Sequence, residues 1–132
     1  MLLEIPPDDI RHALASQGGV IGITAVRAFV RQPESPTLDH LLDHFEHVAR
    51  VAGIEHVGLG SDVDVDGRDP RTGRERPAYA IRGLDHARRT FTVVEGLLRR
   101  GWSEEHVELA LGGNFRRALG EIWASQSPVT AG

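Results

Sequence analysis

The strongest chemical signal in this sequence is an apolar run that ends in an acid: Val57-Gly58-Leu59-Gly60-Ser61 leads directly into Asp62. In parallel α/β proteins the reacting groups gather where strands give way to loops at their carboxyl ends. A carboxylate at that point could hold a substrate ammonium or move a proton. The competing reading is structural, a strand-end carboxylate capping nearby backbone amides. Asp64 and Asp66 follow at spacings of two, with Gly67 sixth from Asp62, as in the opening of a calcium loop. That pattern needs a Glu at its twelfth position and a helix leading in. Position 73 is Gly and a strand leads in, so calcium is disfavoured.

The histidines invite a metal. His40, His44 and His47 stand at i, i+4 and i+7 of one helical stretch, a spacing that can set side chains side by side. The Glu that follows the first His in a zinc-protease pair is missing, because position 41 is Leu. The apolar stripe of that stretch runs through Leu41, Leu42, Phe45 and Val48, which leaves the three histidines on its polar flank among Asp39, Asp43 and Glu46. They are read as a solvated face. His56 opens a strand at the end remote from catalysis, and His86 and His106 lie in first turns of helices, so these are read as structural. Arg27, Arg31, Arg82, Arg88 and Arg89 could each pair with a carboxylate. Arg27 follows a strand and so sits near the productive rim, which makes it a candidate for a substrate carboxylate, but a generic surface arginine is the favoured reading of each of the five. No nucleophile elbow, phosphate loop or dinucleotide fingerprint occurs.

Composition narrows the classes. The 132 residues amount to one ordinary domain, 40% hydrophobic and 26% charged, within the soluble globular range. The net charge of −4 supplies no basic field for nucleic acid or membrane. Absence of cysteine removes disulfides, thiolate zinc sites and thiol nucleophiles. The N-terminus carries no signal-peptide pattern and no apolar stretch is long enough to span a bilayer. A cytoplasmic protein is expected.

The elements that must position Asp62 follow from the periodicity. Asp8 or Asp9 is expected to cap a helix in which Ile10, Ala13 and Leu14 share the packing face, closed by Gly18-Gly19. Val20–Thr24 reads as a strand buried on both faces, followed by a loop containing Arg27, Phe29, Arg31, Pro33 and Pro36. Thr37 caps a helix that Gly53 ends, and residues 56–61 form the second strand. Residues 62–78 make a long polar loop. A helix over 85–100 carries Phe91, Val94, Leu97 and Leu98 as its stripe. Ser103 caps the next, Gly112-Gly113 breaks it, and Asn114 caps the last, over 115–124. The tail 125–132 is expected to fray. Helix–strand alternation predicts an α/β fold with a parallel sheet. Two strands cannot close a sheet, however, so the chain is expected to be incomplete or to assemble with something.

With those residues in view, the chain resembles the renal or membrane dipeptidase family of zinc metallopeptidases. The resemblance rests on Gly18–Ile23, on Val51-Ala52-Gly53-Ile54-Glu55-His56-Val57-Gly58-Leu59-Gly60-Ser61-Asp62-Val63-Asp64, on Glu95–Glu105 and on Leu111-Gly112-Gly113-Asn114-Phe115-Arg116-Arg117. It implies the last quarter of a (β/α)₈ TIM-like barrel, two parallel strands with their helices, spanning residues 1–132. It further implies a hydrolase that cleaves dipeptides by metal-activated water. The family's two zinc ions are held by an early His-x-Asp pair, a bridging Glu and two later His. None of these maps onto this chain, so no metal ligand is assigned here. Asp62 matches the acidic residue beside the metals that takes part in substrate-amine binding or proton relay. The loop from Asp64 to Arg82 is longer and more polar than the family's, which leaves substrate preference open. The implied partners are a dipeptide in the complete enzyme and the missing barrel portion. A truncated module that self-associates without catalysis is the alternative.

Overall fold

The computed structural model describes residues 7–30, 35–64, 68–75 and 79–126. Asp66, Gly67, Arg31, Pro33 and the tail from 127 onward, all drawn into the expectations above, lie outside these. The described elements are α1 (Asp8–Ser16), β1 (Ile21–Ile23), α2 (Arg27–Val30), α3 (Leu38–Ala52), a 3₁₀ turn (Ile54–His56), β2 (Val57–Leu59), α4 (Arg89–Arg99), α5 (Glu104–Glu108), a π-helical turn (Leu109–Gly113) and α6 (Asn114–Ala124). The fold is α/β around a two-stranded parallel sheet, as the periodicity implied. Its register pairs Ile21 with Val57, Gly22 with Gly58 and Ile23 with Leu59.

The sheet is covered by a different kind of residue on each face. Ile21, Ile23 and Val57 are buried in one core with Leu41, Leu42, Phe45 and Val48 of α3. Burial of each such α3 side chain contributes roughly 1.5–3 kcal/mol, enough to fix the helix against the strands. The other face is made of glycine. A Cβ on Gly58 would stand 2.3 Å from the Phe115 ring, and one on Gly22 would stand 3.5 Å from it. The Phe115 ring of α6 therefore lies directly on the bare backbone of β2 at Gly58 and only at ordinary contact distance from Gly22 of β1. Gly58 is required by this close approach, whereas a Cβ on Gly60 would meet the Gly22 backbone at 3.4 Å.

α4 packs on α3 at another glycine. A Cβ on Gly96 would come within 2.7 Å of Leu42. Arg100, just beyond α4, reaches Asp43 at 2.7 Å, Glu46 at 3.1 Å and Asp39 at 3.3 Å on α3. Trp102 meets Phe45 edge to face, centroids 6.4 Å apart.

Four local expectations need correction. In α1, Ile10 and Leu14 are exposed while Arg11 is buried, with Arg11 paired to Asp8. The cap is Pro7, not an aspartate. α4 starts at Arg89, because the His86 ring holds the preceding residues in a turn. Its Nδ1 accepts from the Arg88 amide at 3.1 Å and its Nε2 donates to the Gly83 carbonyl at 2.8 Å. Crossing α3 at Gly96 then rotates the buried stripe to Val93, Gly96 and Leu97. Phe91 is left 68% exposed, with the Arg88 guanidinium over its ring. Gly112 leaves the helical region (φ 179°, ψ −22°) and kinks the chain between α5 and α6, as the glycine pair implied. Asn114, however, is helical rather than a cap. Residues 27–30, read as loop, form the single turn α2.

Candidate functional site at the carboxyl ends of the strands

β1 and β2 run in the same direction, so the segments leaving them emerge side by side and are stitched together. The Gly60 amide donates to the Ile23 carbonyl at 3.1 Å, and the Ala25 amide donates to the Ser61 carbonyl at 2.9 Å. Thr24 adds its hydroxyl to that carbonyl at 3.4 Å. On the far side of the same strip, the Arg27 amide donates to the Tyr79 carbonyl at 2.8 Å and the Ile81 amide to the Ala25 carbonyl at 3.0 Å. The returning end of the long loop is thus a third extended segment along the rim, joined by an antiparallel bridge between Val26 and Ala80.

Asp62 stands where this stitching ends. Its side chain is exposed and its φ is +53°, the one left-handed non-glycine among the described residues. That conformation costs an L-residue roughly 1–2 kcal/mol, least for Asp and Asn. Such a backbone persists only where its surroundings determine it, and functional sites are where it tends to be found. Beside the Ser61 carbonyl, already held by Ala25 and Thr24, the surroundings include one guanidinium. Arg89, the first residue of α4, donates from Nη2 to the Val63 carbonyl at 2.6 Å and from Nη1 to the Asp64 carbonyl at 3.2 Å. Its Nε reaches the Ser61 hydroxyl at 3.4 Å. The sequence alone marked Arg89 as a generic surface arginine, since nothing in its spacing shows which carbonyls it meets.

Arg27 lies on the same rim, and its Nη2 donates to the Ser35 hydroxyl at 2.7 Å. Inside the long loop, residues 68–75 are ordered as a small hairpin. Arg68 and Glu75 form an antiparallel bridge, the Asp69 amide donates to the Arg74 carbonyl at 2.8 Å, and Asp69 Oδ1 accepts from the Arg71 amide at 2.8 Å. Gly73 supplies the left-handed turn residue.

The histidines of α3 serve three different partners. His40 Nδ1 accepts from the Thr37 amide at 3.0 Å, His44 Nε2 donates to the Val30 carbonyl at 3.0 Å, and His47 Nε2 meets Asp8 at 2.9 Å. They are half-buried rather than solvated: His44 and His47 fasten α3 to neighbouring segments, and His40 closes the amino end of α3 on its own cap, Thr37. The hydrogen bond from His47 holds the Asp8 carboxyl below its ordinary range. His56 Nδ1 donates to the Gly19 carbonyl at 2.7 Å, at the amino ends of the strands. Among the described residues no three His, Asp or Glu side chains are grouped as a metal ion requires.

The family motif around Asn114 also has a geometric meaning that spacing did not reveal. Asn114, almost fully buried, donates from Nδ2 to the carbonyls of Ile54 at 2.6 Å and Val57 at 2.8 Å. Arg117 donates to the carbonyls of Gly18 at 3.1 Å and Glu55 at 2.8 Å. With Phe115 between them, the start of α6 is keyed to the backbone that enters both strands.

The profile of the membrane dipeptidase family (peptidase family M19) matches residues 5–130, nearly the whole chain. The chain belongs to this family. Dipeptidase verJ of Clonostachys rogersoniana is 34% identical over 119 residues, which is 88% of this chain and 27% of that protein. Human dipeptidase 3 is 30% identical over 131 residues, 95% of this chain and 25% of that protein. The chain thus spans about a quarter of the length of these curated relatives. Among solved structures, the dipeptidase AC, a family M19 metallopeptidase, superposes with a TM-score of 0.73 at 19% identity over 89% of this chain and 32% of that one. A Rhodobacter sphaeroides metallopeptidase, solved with a phosphinate mimic of the dipeptide L-Ala-D-Ala, superposes with a TM-score of 0.72 at 19% identity over 88% and 31%. The M19 family implies a metal cofactor, but the described residues bring no cluster that would hold one. Among them, no helix is long and apolar enough to cross a membrane.

Proposed function

We propose that this chain is the closing quarter of a (β/α)₈ zinc dipeptidase barrel, with residues 1–132 as one segment. In this reading Asp62 binds the amine of a dipeptide or relays a proton beside it. The observation that carries it is the exposed carboxylate of Asp62, held in a left-handed turn at the carboxyl end of β2, inside the stretch that matches the family. The dipeptide class is supported by the ligand of the Rhodobacter sphaeroides relative, a mimic of L-Ala-D-Ala. Arg27 is the second candidate for the substrate, on its carboxylate, from the neighbouring strand end. The two zinc ions are held by residues outside this chain, so no step through a metal is assigned to it. The chain contributes a rim that orients the substrate, and it does not hydrolyse dipeptides alone.

Two measurements test this reading. Zinc analysis and a dipeptide-hydrolysis assay on the isolated chain should give neither stoichiometric zinc nor turnover; both together would sink the claim of a divided site. In the complete barrel, Asp62→Asn should lower kcat/KM on the order of 100-fold, as expected when a positioned acid–base or binding group is lost, with folding intact. An unchanged rate removes Asp62 from the site. The alternative, a non-catalytic self-associating module, is favoured by one observation: Leu119, Ile122 and Trp123 of α6 are exposed together. Sedimentation of the chain with and without the remainder of the barrel distinguishes the two partners.

A further inference from the structure

We infer that Arg89 is a positioning residue: its guanidinium holds the turn from Ser61 to Asp64 in the conformation that presents the Asp62 carboxylate. The inference rests on the proposed role of Asp62 and adds to it the residue that makes that role possible. Three of the Arg89 contacts bracket Asp62 on both sides, the Ser61 hydroxyl before it and the Val63 and Asp64 carbonyls after it. No contact of a helix-capping kind would need that distribution. A fourth contact, Nη1 to the His86 carbonyl at 3.0 Å, ties the guanidinium to the turn that starts α4.

The base of the clamp is rigid. Arg89 is the first residue of α4, which is fixed on α3 by the buried Val93 and Leu97 and by the close approach at Gly96. A planar fork of donors on a rigid element can hold two successive carbonyls at once, whereas an ammonium on a flexible stem cannot. The Ser61 carbonyl, meanwhile, is held from the other side by Ala25 and Thr24. The turn is therefore pinned at its entrance by the segment leaving β1 and at its exit by α4, and Asp62, which neither clamp holds, is the residue left facing outward. Arg89 acts through this backbone and is not assigned any contact with substrate.

The test is made first on the full chain, by nuclear magnetic resonance. Wild type should show the HN–Hα coupling and carbon shifts of a positive φ at Asp62, with slow exchange of the amides of residues 61–64. Arg89→Ala should abolish that signature and speed exchange at residues 61–64 on the order of tenfold or more, the consequence of local opening, while α3 amides keep their protection. Arg89→Lys should restore part of the signature and Arg89→Gln less. An unchanged Asp62 signature in Arg89→Ala overturns the inference. So does loss of protection spread equally over α3 and α4 in both Arg89→Ala and Arg89→Lys, because that is what a purely structural arginine gives.

The second arm uses the complete barrel. Arg89→Ala should raise KM for a dipeptide more than it lowers kcat if Asp62 holds the amine. In an Asp62→Asn background the same change should have no further effect on KM, as coupled residues behave in a double-mutant cycle. Independent, additive effects overturn the positioning role. If Asp62→Asn alone is without effect, the proposed function fails instead, and the resonance results still decide the local clamp.

Discussion

Asp62 carries two demands at once, a strained backbone and an exposed charge. Its left-handed φ of +53° is tolerable for Asp and Asn, whose short polar side chains can support it, and poorly tolerable for branched residues. Asp62→Asn should therefore leave the melting temperature of the chain unchanged. Asp62→Val should destabilise it by about 1–2 kcal/mol, the ordinary cost of a left-handed L-residue plus its branching. Denaturant unfolding of the two variants checks this; equal stabilities would mean the turn is not as tightly determined as the Arg89 contacts imply. The place of Asp62 was legible in the sequence because the change from an apolar run to an acid marks where a buried strand reaches solvent. Its support was not legible. Arg89 lies 27 positions further on, past the long loop, and only the fold shows which carbonyls it meets. The same holds for Asn114, whose type and position suggest a helix cap but whose amide spans to Ile54 and Val57.

At the scale of elements, the helices and strands were readable wherever one apolar period dominated, as in α3 between Thr37 and Gly53. They were misread where packing depends on what is missing from a side chain. Gly58 and Gly96 set the distance between α6 and the sheet and between α4 and α3, and a glycine carries no sign of its partner. Gly58→Ala tests this directly. Its Cβ would overlap the Phe115 ring, 2.3 Å away, and overpacking of this kind costs about 1–3 kcal/mol. Phe115→Leu, alone a modest loss of buried area, should recover part of that cost when combined with Gly58→Ala. Thermal unfolding of the two single variants and the pair gives the coupling. Strictly additive losses would show that the ring does not rest on the strand backbone.

At the scale of the whole molecule, what stands out is surface without cover. Among the described residues the sheet has two strands and hence two edges, and exposed edges are normally covered, twisted away or paired. Ile10 and Leu14 of α1, Phe91 of α4, and Leu119, Ile122 and Trp123 of α6 are all open to solvent, although the sequence placed several of them in packing stripes. A family in which the matched relatives are between about three and four times as long offers a reason for both features. On the proposed reading, the remaining strands pair with both edges and the remaining helices cover these faces. In a two-stranded parallel pair, alternate N–H groups of each strand point away from the partner, so the chain alone at low concentration should exchange part of the amides of residues 21–23 and 57–59 quickly. In the complete barrel all of them should exchange slowly, by several orders of magnitude, since they then open only with the core. Slow exchange of every strand amide in the dilute chain would contradict the barrel reading if sedimentation finds a monomer, because the edges would then be covered from within. If sedimentation finds a dimer, the same protection would instead favour self-association, with a second copy of this chain standing where the rest of the barrel was expected.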